Sequence, residues 1–140
     1  MGTRSIVEYA WYILGRVYII RMEGTVTVNL MESALSHVLG VLNETDHLHK
    51  VHLIYDIESV HLEPAVPLSY ILSVTAELYR HPNTASMVSV IGRNRLHAFL
   101  ANEAGKVYTR ETQQGQAVGT LNDAIRFVAF IDSSLPIENI

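Results

Sequence analysis

Asp56 and Glu58, two residues apart in Lys50-Val-His-Leu-Ile-Tyr-Asp-Ile-Glu-Ser-Val60, are the carboxylates best placed for chemistry. If a strand continues through them they share a face and form a pair; at a strand end an acid of this kind caps a neighbouring loop or helix instead. Asp46, His47, His49 and His52 are the densest group of potential metal ligands. His47 and His49 would share one strand face and His52 the other, so the spacing does not converge on a single ion, and a solvated loop accounts for it. His61, His81 and His97 are scattered, and no serine sits in a nucleophile elbow, so the spacing supports no triad. Gly92-Arg93-Asn94-Arg95 leads from a core strand into a helix. With Asn94 as N-cap, the free amides and two guanidiniums could hold an anion; the plainer reading is two solvated arginines around a turn. The loop has neither the GxGxxG nor the GKS/T pattern of nucleotide sites.

These residues must be positioned by an alternation of strands and helices. Val7 to Met22 is rich in β-branched and aromatic residues and is broken once, at Leu14-Gly15-Arg16, which predicts an antiparallel hairpin. Its Tyr9, Trp11, Tyr12 and Tyr18 either cover the sheet or project outward as a contact surface. Glu23 to Thr27 interrupts the pattern. Met31, Ala34, Leu35, Val38, Val41 and Leu42 then recur at helical spacing behind Asn29 as candidate N-cap. Val51 to Ile57 is apolar enough for a strand covered on both faces, ending on the acid at 56. A helix follows from about Pro67 and stops at His81-Pro82-Asn83. Ser86 to Ile91 is a core strand, followed by a helix with its apolar face on Leu96, Phe99, Leu100, Ala104 and Val107. A short strand at Gln116 to Val118 precedes Thr120-Leu-Asn-Asp123, a capping-box variant. The last helix should bury Leu121, Ala124, Ile125, Val128 and Ile131, leaving residues 133–140 as a frayed tail. The expected fold class is α/β: a mixed, mostly parallel sheet opened by an antiparallel hairpin, with about four helices packed on it.

With 140 residues, 49% of them hydrophobic and 17% charged, the chain suits one domain over 1–140, its core about 7–131. A net charge of -4 offers no general attraction for nucleic acid or anionic lipid. Zero cysteines exclude disulfides, thiolate zinc sites and a Cys nucleophile, and fit a reducing cytoplasm. No apolar run is long enough to span a bilayer, and the first residues lack a signal-peptide pattern, so a cytoplasmic location is expected, with no membrane insertion.

In the order of its elements the chain resembles the STAS superfamily, the anti-sigma-factor antagonist fold, and more closely its SpoIIAA-like relatives. The residues that carry the resemblance are Arg21-Met-Glu-Gly24, Leu53-Ile-Tyr-Asp56 with Val60, Val88-Ser-Val-Ile-Gly-Arg-Asn-Arg95, and Gly119-Thr-Leu-Asn-Asp-Ala-Ile-Arg126. The similarity runs from about Val7 to Ile131 and is one of order and pattern. In phosphorylatable members, the resemblance implies, the strand-end Asp is followed by a short serine-containing sequence that accepts phosphate. Counted without gaps from Asp56, that place falls on Pro64-Ala-Val-Pro67, where Ala65 and Val66 carry no hydroxyl. Ser59 and Ser69 lie nearby, but reaching them requires a shift in the alignment.

Three functions follow as expectations. The first is a non-catalytic STAS-like interaction or regulatory module with no phosphoacceptor at 65 or 66. It would need no cofactor and no metal, and would bind a protein partner or itself through a helix face or the opening hairpin. The second is a carrier of a small apolar molecule, with a pocket between helices and sheet. The third is an enzyme using Asp56, Glu58 and Arg93, weakened because no nucleophile and base pair up. The candidate anion or ligand contacts are Asp56, Arg93, Asn94 and Arg95.

Overall fold

The computed structural model describes residues 5–45, 49–62, 66–93 and 114–137. The chain opens with strands β1 (Ile6–Ile13) and β2 (Val17–Val26), continues through helix α1 (Val28–Glu44), strand β3 (Val51–Leu62), helix α2 (Leu68–Arg80) and strand β4 (Thr84–Val90), and closes with strand β5 (Gln114–Val118) and helix α3 (Leu121–Ile131). The five strands form one sheet in sequence order, with β1 antiparallel to β2 and every other neighbouring pair parallel. The mixed sheet and opening hairpin are therefore as expected from the sequence. Among the described residues there are three helices; the helix expected over Leu96 to Val107 lies outside them.

Strand order dictates the layers. Crossovers of one hand that step across the sheet in one direction place their helices on one face, and α1 and α2 pack against each other there. Their cluster joins Ala34, Val38 and Leu42 of α1 to Leu78 of α2 and to Tyr18, Ile20 and Leu53 of the sheet. On the opposite face α3 packs on β3, β4 and β5, and its Ala124, Ile125 and Val128 meet Ile54, Val88 and Val90. The central strand β3 is thus covered on both sides, and this is why its sequence alternates so little.

Several local expectations are corrected. Glu23 to Thr27 does not break the pattern: β2 runs on to Val26, and β3 runs past Asp56 to Leu62. The pairing of β2 with β3 slips between Arg21 and Glu23, which stand opposite Asp56 and Ser59. The extra residue on β3 makes a bulge, and beyond it the side-chain alternation flips, so that Val60 joins the same cluster as Leu53. Gly24, at φ 85, supplies the left-handed backbone beside this slip. Helix α1 is capped by Thr27, whose Oγ1 accepts from the Leu30 amide at 3.2 Å, and Asn29 lies inside the helix. Thr27→Ala is accordingly expected to lower stability by about 1 kcal/mol, as urea unfolding would read out, while Asn29→Ala leaves it nearly unchanged. At α3 the expected Thr120 cap is present, accepting from the Asp123 amide at 3.1 Å. Leu121 is one of the exposed apolar side chains, not a buried one. Residues 133–137 are docked and not frayed: Leu135 is buried and Ile137 packs on the α3 cluster.

Candidate functional site

The corner at Asp56 is set by where the sheet narrows. Pairing between β3 and β4 ends at Asp56 opposite Val90, whereas β3 continues alongside β2 to Leu62. Asp56 is therefore a mid-strand residue at a step in the sheet, and the strand-end reading is corrected. Its carboxylate faces Arg21 of the neighbouring strand, with Nε to Oδ2 at 3.9 Å, and Arg21 also pairs with Glu23 at 2.9 Å. The Glu58 amide reaches Asp56 Oδ1 only at 3.5 Å, and the bulge separates the two acids, so they do not form a working pair. Arg21 belongs to the Arg21-Met-Glu-Gly24 pattern, but nothing in the sequence pairs it with Asp56; the parallel register Arg21 to Asp56 brings it there.

The other corner residues divide. Gly92 turns at φ 59, and a Cβ on it would lie 3.2 Å from Glu58 Cβ, so the loop after β4 is held against the extension of β3. Arg93 is exposed, and none of the ion pairs among the described residues joins it to Asp56 or Glu58. Of the four candidate contacts Asp56, Arg93, Asn94 and Arg95, the last two lie outside the described residues. Pro64 and Ala65 also lie outside. Val66 precedes α2, whose N-cap is Pro67 and carries no side-chain cap. Ser59 and Ser69 are both exposed, on β3 and in the first turn of α2. Of the histidine-rich stretch, Asp46 and His47 lie outside the description, His49 is exposed and His52 is buried. Among the described residues no group of three or more His, Cys, Asp or Glu could hold a metal.

His52 is the centre of a network that no sequence spacing announced. Its Nδ1 lies 2.7 Å from Ser86 Oγ and its Nε2 2.8 Å from Asp132 Oδ2. Arg16 reaches the same Asp132 oxygen at 3.3 Å and Ser134 Oγ at 2.6 Å. A serine, a histidine and an aspartate in a line have the membership of a nucleophilic triad. Here Ser86 is fully buried in β4 under α3, so its hydroxyl is not open to an acyl group from solvent. The network instead ties the hairpin turn, β3, β4 and the end of α3 together. Burial disfavours the charged imidazole and lowers the His52 pKa, against the pull of Asp132. Burial alone would raise the Asp132 carboxyl, but hydrogen bonds from Ser134 and His52 outweigh it and hold it at about 2.

On the α1 face the hairpin aromatics sort themselves. Tyr18 Oη lies 2.7 Å from His37 Nε2, the Tyr9 ring stacks on His37 at 3.7 Å between centroids, and Trp11 leans on Tyr18 at 4.6 Å. Tyr12 points away and is 46% exposed. Tyr9, Trp11 and Tyr18 thus cover the sheet, and Tyr12 projects outward. Along β1 exposure alternates, and Ile6, Glu8, Ala10 and Tyr12 form the open side.

Comparison with solved structures fits this arrangement. An uncharacterised protein with a SpoIIAA-like fold from Shewanella loihica superposes with a TM-score of 0.65 at 10% identity, covering 91% of this chain and 98% of that one. The chain has the SpoIIAA-like fold. An anti-sigma factor antagonist from Mycobacterium paratuberculosis matches at TM-score 0.58 and 14% identity, over 91% of this chain and 98% of its own. The anti-sigma factor antagonist SpoIIAA in its unphosphorylated form gives 0.57 and 13%, over 91% and 99%. No family model matches the sequence, and no curated protein matches it. The SpoIIAA-like fold thus spans nearly the whole chain at 10–14% sequence identity, as a fold specified by core patterning allows. No described helix is long and apolar enough to cross a membrane.

Proposed function

We propose that this chain is a non-catalytic regulatory module that works by protein contact through its opening hairpin, and that a second copy of the chain is an occupant of that surface. Two of the structurally similar proteins are anti-sigma factor antagonists, which supports a regulatory reading of the fold. The observation that carries the proposal is β1. It is an edge strand of eight residues, Ile-Val-Glu-Tyr-Ala-Trp-Tyr-Ile, with one charge and no proline, and its pairing with β2 is regular from Ile6 to Trp11, slipping only near its end, between Trp11 and Ile13. Edge strands of that length and apolarity are ordinarily blunted by lysines, prolines or bulges, because their unpaired amides and carbonyls template another strand. Next to the edge, the face that α3 leaves open presents Ile6 and Tyr12, 39% and 46% exposed. Paired antiparallel about a two-fold axis, two such hairpins would satisfy the edge groups and cover those side chains.

The phosphate switch implied by the family resemblance does not enter this reading, because Ala65 and Val66 have no acceptor oxygen. Analytical ultracentrifugation over a hundredfold concentration range tests the proposal. The wild-type chain is expected to shift from monomer towards dimer, and the doubly charged variant Ile6→Glu/Tyr12→Glu to remain monomeric with an unchanged circular dichroism spectrum. A wild-type chain that stays monomeric throughout would refute the contact surface, and stoichiometric phosphate on Ser59 or Ser69 would overturn the switch-free part.

A further inference from the structure

Between the sheet and helices α1 and α2 lies a cavity of about 160 Å³. Cavities of about 150 Å³ with apolar walls stay dry and accept benzene, so this one has room for a ring or a short alkyl chain. Its walls come from α1 through Met31, Ala34 and Leu35 and from α2 through Ile71, Val74 and Leu78. All three methionines after Met1, namely Met22, Met31 and Met87, line it. Methionine is the side chain that fits its polarizable thioether around varied apolar shapes.

Three polar side chains lie on the floor, and Thr75 and Tyr79 come from α2. Tyr55 of β3 and Ser89 of β4 are register partners, and both line the cavity together with Gln116 of β5. Thr75 spends its hydroxyl on the Ile71 carbonyl of its own helix at 2.9 Å. The Tyr55 hydroxyl makes no hydrogen bond to another described residue. Burial, reinforced by the nearby Tyr9 and Tyr18, raises the pKa of this phenol, which therefore stays neutral and able to donate. No Lys, Arg, His, Asp or Glu is among the described lining residues. A charged ligand would lose its hydration here with nothing to offset the loss.

We infer that this cavity binds a small uncharged molecule, one ring or a short alkyl chain bearing a single oxygen, with its body against the methionines and its oxygen on Tyr55. The site lies on the sheet face opposite the open side of the hairpin, so it goes beyond the contact reading and either can fail without the other. The test is a titration of the full chain, carrying methyl-13C methionine, with p-cresol, toluene and benzoate as probes. Saturable shifts are expected at Met22, Met31 and Met87 but not at Met1 with p-cresol and toluene, and none with benzoate. Tyr55→Phe should weaken p-cresol about 3- to 10-fold, the worth of one hydrogen bond, and leave toluene unchanged. Val74→Phe, which fills the space, should abolish both. The inference is overturned if neither neutral probe gives a saturable shift in the wild-type chain, if benzoate binds as well as p-cresol, or if Tyr55→Phe affects both neutral probes alike or neither.

Discussion

His52→Ala is expected to be among the most damaging single substitutions away from the apolar core. At neutral pH it should cost about 1–3 kcal/mol for the Ser86 hydroxyl left buried without its partner, with a further loss from the space the imidazole vacates. Asp132 keeps Arg16 and Ser134 in the variant, so the carboxylate is not stranded. The pH dependence identifies the cause. Because the folded-state pKa of His52 lies below its ordinary 6.5, the unfolded chain takes up the proton first. Its contribution to stability is fully present above pH 6.5 and declines as the pH falls from there towards the lowered folded value. The gap between wild type and His52→Ala should therefore narrow on acidification below 6.5. A second loss belongs to Asp132: held at about 2 when folded, its contribution is complete above the ordinary carboxylate value and disappears as the pH falls through about 2. Urea unfolding at a series of pH values measures both, and a gap that stays constant from pH 7 to pH 5 would show that His52 is not buried neutral.

Larger effects are expected at the two residues that β3 sends to opposite faces. Leu53 and Ile54 are both fully buried, Leu53 in the cluster under α1 and α2 and Ile54 in the cluster under α3. Truncating either to alanine should cost about 2–5 kcal/mol, a large share of the roughly 5–15 kcal/mol that holds a domain together. The two substitutions report on different layers. If Ile54→Ala costs less than about 1 kcal/mol while Leu53→Ala costs the full amount, α3 is not docked as described; the reverse result would displace α1 and α2. Denaturant midpoints of the two single variants decide the point.

The sequence made the layers legible and hid the junctions. The largely apolar stretch from Val51 to Ile57 marks a strand covered on both faces, and the helical spacing of Ala34, Val38 and Leu42 marks the buried face of α1, because both patterns follow from burial alone. What escaped was set by long-range register. Gly24 looked like a break because glycine is rare within strands, yet it serves a slip in pairing between strands more than thirty residues apart. Thr27 follows directly on β2, whose continuation to Val26 the glycine at 24 conceals, so the spacing points to Asn29 as the cap instead. The Ser86, His52 and Asp132 network had one local signal, a histidine inside an otherwise apolar strand, and nothing in the chain order could say which partners the fold would bring to it. At the Asp56 corner the same rule holds. The acid was visible, while its partner Arg21 depended on a parallel pairing that sequence spacing does not encode.

The hairpin surface rests on β1 being an open edge in the isolated chain and a covered one in its complex. Residue-resolved amide hydrogen exchange at two protein concentrations measures this directly. In dilute solution the outward-facing amides of Ile6–Ile13 should exchange rapidly, and at high concentration the same amides should become protected while those of β4 are unchanged, since strand pairing protects only the amides it engages. Exchange in β1 that is identical at both concentrations would contradict the account.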